Sequence, residues 1–410
     1  MNNLYASIDI GTDTVKMIVA KKEDKSFKVI ACAEKKSDGV KKGAILDVSK
    51  TVAVVSDCKK EIEEILGIKV KKIIACIPTE ECLFDIVSSK VDVMDEKNIT
   101  GKDINNILKE AITGKIKKDY ELVSASPIGF KLDTNKMVKD PKGLSSKTID
   151  AKLVITEVPR KNLYNLLNVL QLCELEPIDI IFKTIGDYFE IRNSKRDNSV
   201  GAIINIGEDT TNISIYNKGI MIKNTSIKVG SYYVDHDFSY IYKISMKESR
   251  RLKETFAMAS TRYADKYDEE EVTTETGKKQ VINQYEISQI AEARLEAILK
   301  IAKKQIKILT NRQISYIIIL GGLSEMNGFQ YIAENILGTK AVVWNSTTIG
   351  IRHNKYTSVL GAIKYFNDKL MLRDRKCEMF DTEDINEMIS TNNNKNNTAI
   401  NKLFEQFIKD

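Results

Sequence analysis

The sequence predicts an α/β chain built from two similar subdomains, and three features carry that prediction. A strand–turn–strand unit occurs twice, a long amphipathic helix follows its second copy, and a buried strand then runs into paired glycines. The first unit, "ASIDIGTDTVKMIVA" (6–20), aligns with "AIINIGEDTTNISIY" (202–216) at a constant offset. Ala6/Ala202, Ile8/Ile204, Ile10/Ile206, Gly11/Gly207, Asp13/Asp209 and Thr14/Thr210 are identical pairs. Each copy reads as an apolar β-run, a glycine turn, and a second run in which apolar and polar positions alternate. A repeat at a spacing near half the chain points to two related halves. At 410 residues the chain exceeds one ordinary core, so two to four globular units are expected.

Between the two copies, residues 82–158 carry short strands and one helix, "TGKDINNILKEAIT", and end in "DAKLVITEV". They predict a small inserted α+β unit. Beyond the second copy, "YEISQIAEARLEAILKIAKKQIKIL" (285–309) sets Ile287, Ile290, Ala291, Leu295, Ile298, Ala302 and Ile306 on one stripe of a long helix. After about Asp368 the composition turns charged and then polar, "STNNNKNNT" (390–398), a run that cannot build a core and predicts a flexible linker over 368–397. The last stretch, "AINKLFEQFIKD" (399–410), spaces Ile400, Leu403, Phe404, Phe407 and Ile408 as one apolar helical face. So short a helix is marginal alone in water, so its face needs a membrane surface, a protein groove or its own domain. Its charges cancel, so burial of the apolar side chains dominates any lipid binding. At ~25 cal/mol per Å² that amounts to a few kcal/mol, a reversible anchor that needs avidity.

Composition excludes several classes. Sixty-three basic residues face 57 acidic ones, for a net charge of +6, and the lysines are scattered. No nucleic-acid footprint with interleaved aromatics is visible. Cys32, Cys58, Cys76, Cys82, Cys173 and Cys377 form no CxxC pair, and most lie in apolar runs, which fits a reducing compartment. The two histidines, His236 and His353, lack a nucleophile context. The start, "MNNLYASIDIG", has no signal-peptide pattern, and no apolar run approaches the ~18 residues a membrane span requires. The body is expected to be cytosolic.

The chemistry lies in the turns. A tight glycine turn between strands exposes backbone N–H groups, which attract phosphate oxygens. In "DIGTDTVK" (9–16) Thr12 and Thr14 add hydroxyls, Lys16 on the next strand could reach a phosphate, and Asp9 could hold Mg2+ through water. The third piece, "YIIILGGLSEMNGF" (316–329), places Gly321 and Gly322 after a buried strand and Gly328 at a helix start, where a flat ligand can approach closely. Each piece alone is weak; two such hairpins facing across a cleft are far more specific.

Together the three pieces resemble the actin-like ATPase superfamily, with phosphate loop 1 at 9–16, phosphate loop 2 at 205–212 and an adenosine motif at 319–328. Within it the chain resembles the FtsA family of bacterial cell-division proteins, over residues 4–366 and the last dozen. The resemblance rests on the insertion "ASPIGFKLDTNKMVKDPKGLSSKTIDAKLVIT" (125–156) and its position, on the helix "YEISQIAEARLEAIL" (285–299), and on the terminal amphipathic helix. It implies an actin-like, ribonuclease H-like two-domain fold with a nucleotide cleft between the domains. Residues 1–81 and 159–198 would form the first actin-like subdomain, with the insertion at 82–158. Residues 199–240 and 314–367 would form the second, 241–313 a further subdomain, and 398–410 a membrane-targeting helix.

ATP and Mg2+ are the implied cofactors. Gly11, Thr12, Asp13, Thr14 and Lys16 of loop 1, Gly207, Asp209, Thr210 and Thr211 of loop 2, and Gly321, Gly322 and Ser324 of the adenosine motif would meet the nucleotide. Asp9 and Asn205 would serve the metal. By family position, Glu248 and Arg251 in "MKESRRLKETFA" would bracket ribose and adenine. The implied function is a polymerising adaptor that holds FtsZ filaments at the cytoplasmic face of the cell membrane at the division site. The FtsZ C-terminal peptide would dock on 241–313, with Arg294 either a contact or a solvated helix charge. Later division proteins would bind 82–158.

Loop 2 departs from the family's Asp-Ile-Gly-Gly-Gly-Thr-x-Asp. Asn205 replaces the first acid, Glu208 and Asp209 replace glycines, and Asn212 replaces the last acid. Extra carboxylates beside a triphosphate cost electrostatic energy, and a lost acid removes a group that could orient water. Hydrolysis is therefore expected to be weak or absent. Two other readings remain: a small-molecule kinase of the same superfamily, which would need an Asp base in the cleft, and a pilus-assembly actin homologue, which normally lacks the tethered helix.

Overall fold

The first lobe opens with the strand pair that carries the first glycine turn. β1 (Leu4–Ile10) is buried along its whole length, because it lies inside a sheet and packs on both faces. It pairs antiparallel with β2 (Thr14–Glu23), which pairs in turn with β3 (Ser26–Lys36). The computed structural model describes residues 3–24 and 26–381. The apolar run at 399–410, with Ile400, Leu403, Phe404, Phe407 and Ile408, lies outside the described residues, as do 382–397 of the expected linker. Its first part, 368–381, is not a linker, since the last helix among the described residues runs to Leu372, and Met379 and Phe380 are buried in the first lobe's core.

A small hairpin, β4 (Val40–Lys41) and β5 (Ala44–Ile45), follows β3. α1 (Val48–Leu66) begins where the Asp47 carboxylate accepts the Lys50 N–H at 3.0 Å, and stops at Gly67 in the left-handed region. β6 (Lys72–Ile77) returns parallel to β1. The chain then leaves the lobe for β7 (Leu83–Asp92), α2 (Gly101–Ile112), β8 (Tyr120–Leu132), β9 (Met137–Val138) and β10 (Thr148–Pro159). These make a separate antiparallel sheet in the order β7-β10-β8-β9, with α2 against it. Ile104, Ile107 and Leu108 of α2 meet Phe130, Ile149 and Leu153 of the sheet in a core of their own. α3 (Arg160–Leu172) and β11 (Glu176–Phe182) complete the first lobe, whose sheet runs β11-β6-β1-β2-β3.

α4 (Lys183–Ile191) carries the chain into the second lobe. There β12 (Val200–Ile206), β13 (Thr211–Asn217) and β14 (Ile220–Ile227) form a meander, followed by α5 (Tyr232–Tyr242) and α6 (Met246–Thr255). The hairpin β15 (Glu269–Thr273) and β16 (Lys279–Asn283) leads into α7 (Gln284–Leu309), capped by the Asn283 side chain. Ile287, Ala291, Leu295, Ile298, Ala302 and Ile306 are buried on its stripe as the spacing predicts, while Ile290 is half-buried and Leu299 joins the core. β17 (Tyr316–Leu320), α8 (Phe329–Leu337), β18 (Ala341–Val343) and α9 (Thr357–Leu372) follow. The second sheet runs β14-β13-β12-β17-β18.

Both large sheets therefore share one plan. Three antiparallel strands (β3-β2-β1 and β14-β13-β12) continue into two strands parallel to the last of them (β6-β11 and β17-β18). The two lobes are joined where α4 crosses α9. A methyl group built on Gly361 would lie 1.7 Å from the Gly186 carbonyl oxygen, and one on Gly186 would lie 2.3 Å from that of Ser358. Only glycine at both positions lets the helix backbones touch. Tyr188 of α4 stacks on Tyr216 of β13 with centroids 4.3 Å apart, extending this joint into the second sheet. No helix among the described residues is long and apolar enough to cross a membrane. Cys58, Cys76 and Cys173 are buried free thiols, and Cys32, Cys82 and Cys377 are partly buried.

Candidate functional site

The two glycine turns close in the same way. Gly11 N–H donates to the Thr14 carbonyl at 3.1 Å, and Gly207 N–H donates to that of Thr210 at 2.9 Å. In the ladders behind them Asp9 stands opposite Lys16, and Asn205 opposite Asn212. Asp9, at the end of β1, is buried and forms an ion pair with Lys183 Nζ at 2.8 Å. Burial pushes the Lys16 ammonium below its ordinary value, against the attraction of Asp9. Lys183 is the first residue of α4 and is shifted the other way: burial works against its charge, and the Asp9 carboxylate outweighs it. Asn205 donates to Asp187 Oδ2 at 2.7 Å, and Ser358 donates to Oδ1 at 2.6 Å. Burial raises the Asp187 carboxyl to about 6. The base of the cleft is thus a polar cluster on β1, β12, α4 and α9. Lys183 and Asp187 escaped the sequence reading; their one signal is a pair of charges four apart where the apolar run "IDIIF" enters a helix.

At the loop tips the organising residue is Arg250 of α6. Its guanidinium meets Asp13 of loop 1 at 2.5 Å, pairs with Glu208 of loop 2, and lies 3.5 Å from buried Asp235. Lys253, one turn on, holds Asp235 at 2.7 Å. Asp13 is also paired with Lys36, and Ser231 Oγ donates to Glu208 at 2.8 Å. Burial alone would raise Asp13, yet Lys36 and Arg250 hold it below the ordinary carboxylate value. Burial likewise opposes the charge of Arg250, and Asp13 and Glu208 more than offset it.

Glu248 and Arg251, expected to bracket ribose and adenine, stand apart from the two phosphate loops. Arg251 pairs with Glu248 at 2.6 Å and with Glu270 of β15 at 2.5 Å, so both face the β15–β16 hairpin. Leu252 is fully buried, and this sets the rotation of α6 that turns Arg250 and Lys253 inward.

The other expected residues divide. Thr12 Oγ1 accepts the Gly43 N–H at 3.0 Å, and Asp209 accepts the Lys42 N–H at 3.1 Å, so the β4–β5 hairpin straps both loops. Thr210 donates to Glu80 at 3.2 Å across the lobes. A cavity of about 560 Å³ opens on this side, lined by the strap, residues 76–82 and residues 224–226. Thr211 is buried with its hydroxyl on the Val229 carbonyl at 2.7 Å, away from the turn. Gly321, at a φ of 97°, lets its turn pack on Ile206, whose carbonyl oxygen a methyl group would approach to 2.1 Å. Ser324 is buried and donates to the Gly321 carbonyl at 2.7 Å. Gly322 has open space before it.

The donor set does not fit Mg2+. Asp9 carries the Lys183 ammonium, Asn205 is uncharged and committed to Asp187, and Glu208 is paired with Arg250. No group of His, Cys, Asp and Glu that could hold a metal ion occurs among the described residues.

Residues 202–361 match the family model described as cell division protein FtsA, and residues 84–156 match the SHS2 domain inserted in FtsA. The chain belongs to the FtsA family. It is 26% identical to cell division protein FtsA of Bacillus subtilis (strain 168), over 92% of this chain and 86% of that one. It is 24% identical to the FtsA of Streptococcus pneumoniae, over 88% and 79%. Among solved structures, MreB5 of Spiroplasma citri bound to ADP superimposes with a TM-score of 0.54 at 13% identity, over 91% of this chain and 99% of that one. A PilM-PilN type IV pilus biogenesis complex gives 0.59 at 11% identity, over 88% and 97%. The fold is thus the actin-like two-lobed fold, with the FtsA-type insertion at β7–β10. At these identities the solved structures speak for the fold alone, and the family models carry the assignment to FtsA.

Proposed function

We infer that this FtsA-family chain is a membrane-tethered, actin-like adaptor of cell division. It assembles with copies of itself, holds FtsZ filaments at the cytoplasmic face of the membrane, and gathers later division proteins through residues 82–158. The observation that carries this reading is the pairing of an FtsA-type insertion with two matched glycine hairpins facing across an actin-like cleft. The adaptor role requires no turnover. Phosphate release from ATP is expected to stay at background, and release that vanishes in Asp9→Ala would refute this.

The FtsZ peptide would dock on the α5–α7 face. Arg294 of α7 grips Asp237 of α5 side-on, through Nε at 2.6 Å and Nη2 at 2.9 Å, and lies over the Tyr233 ring. Tyr240 and Ile241 are exposed beside it, and Tyr232, His236 and Tyr240 form a row along α5. An apolar peptide can lie on such a row while its acids meet Arg294. Arg294→Ala would weaken the contact.

Residues 398–410 would supply the membrane anchor, with polymerisation adding the avidity a short neutral helix lacks. Full-length protein is expected to sediment with liposomes and to carry FtsZ down with it, and deletion of 398–410 to abolish both. Unchanged sedimentation after deletion would refute the anchor assigned to 398–410.

A further inference from the structure

In a two-lobed fold with a ligand cleft, something must join the loop tips for the lobes to stay closed. Here the chain provides that joint itself. We propose that Arg250 takes the place of a metal–nucleotide bridge, so the lobes close without nucleotide and the cleft is not a Mg2+-ATP site.

The geometry carries this directly. Arg250 presents one arm to Asp13 on loop 1 and the other to Glu208 on loop 2, so a single guanidinium spans the gap a triphosphate would occupy. Its planar fork suits two carboxylates at once, which a lysine ammonium cannot match. Asp235 supports the third edge at 3.5 Å and is itself paired with Lys253. Glu208 is fixed from behind by Ser231. One layer deeper, the Lys183 ammonium sits on Asp9, the carboxylate a divalent cation would need.

The loop chemistry agrees. A triphosphate between these tips would meet the carboxylates of Asp13, Glu208 and Asp209 at close range, and would have to displace Arg250 from two of them. Phosphate-binding turns expose bare N–H groups, whereas loop 2 fills its tip with acids that already have partners. The remaining cross-lobe contacts are also internal: Asn205 to Asp187, Thr210 to Glu80, and Lys42 N–H to Asp209.

The test uses the full chain, with no membrane and no FtsZ, so its failure leaves the adaptor reading standing. Thermal unfolding is measured with and without 1 mM ATP or ADP and Mg2+, together with titration of a fluorescent ATP analogue. The midpoint is expected not to move and no saturable binding to appear. A nucleotide-dependent rise in midpoint, or saturable binding, would overturn the proposal. Amide exchange at 9–14 and 207–210 is then compared in Arg250→Ala, Glu208→Gln and Lys36→Ala. Loss of one partner from a partly buried pair should speed exchange at both loops by about tenfold in the first two variants. Lys36→Ala touches Asp13 only from the solvent side and should leave loop 2 unchanged. Glu208→Gln keeps the arginine, so it separates loss of the bridge from a folding defect. Unchanged exchange at loop 1 in that variant would also overturn the proposal.

Discussion

Gly361→Ala is expected to destabilise the protein by roughly 3 kcal/mol, the upper range for overpacking, because the new methyl group meets backbone and not a movable side chain. The group would fall 1.7 Å from the Gly186 carbonyl oxygen, with Glu190 N also within 2.9 Å. Relief requires α4 and α9 to move apart, and these helices join the lobes. Gly186→Ala presses on the same crossing at 2.3 Å from Ser358, so the two substitutions should not add. Gly322→Ala is the control: nothing lies within 4 Å of its added methyl group, and its cost should be within a few tenths of a kcal/mol. Urea unfolding of the full chain reads all three. Equal midpoints for Gly361→Ala and Gly322→Ala would show that the crossing is looser than its geometry.

The second large effect is the pH dependence contributed by Asp187. Its carboxyl is raised by burial from 3.8 to about 6 in the folded state, although Asn205, Ser358 and Lys183 favour its charged form. Below about 3.8 both states are protonated, and the group contributes nothing. Between 3.8 and about 6 the unfolded chain loses this proton while the folded chain keeps it, so stability falls as pH rises. Above that window the folded state carries a buried charge, at a cost of about 3 kcal/mol at 1.36 kcal/mol per pKa unit. Asp187→Asn removes the titration, so its stability relative to wild type should improve by that amount between pH 4 and pH 7. A wild-type-minus-variant difference that stays level across the window would refute the assignment. Subtracting the variant also removes the contributions of Glu190, Asp235 and Asp368, which burial raises as well.

Much of the architecture was legible because it is written in short-range periodicity. The hairpins at 6–20 and 202–216 declared themselves by alternation and by identities at one offset, and α7 by its apolar stripe. The shared sheet plan was not legible: β6 and β17, which complete the match, are far from the hairpins in sequence and pair through tertiary contacts. The site was half legible. Asp9 and Lys16 fall opposite each other in the β1–β2 ladder, as a hairpin of that length dictates. Which charge on α6 faces the cleft could not be read, since Glu248 and Arg251 share one face and Arg250 and Lys253 another. The burial of Leu252 made that choice.

By itself, the sequence determined the two repeated hairpins, the inserted unit, the long amphipathic helix and, through them, the FtsA family. Each is set by the spacing of residues close along the chain, where backbone geometry leaves few alternatives. Only the tertiary structure decided what fills the cleft. Arg250 and Asp13 are 237 positions apart, and a charge pair over that distance exists only after two lobes have packed and turned one helix face inward. Loop 2, with its single glycine and its acids, read as a phosphate loop that had lost its metal ligands. In the folded molecule one of those acids, Glu208, holds an arginine, and the other, Asp209, holds the strap through the Lys42 N–H.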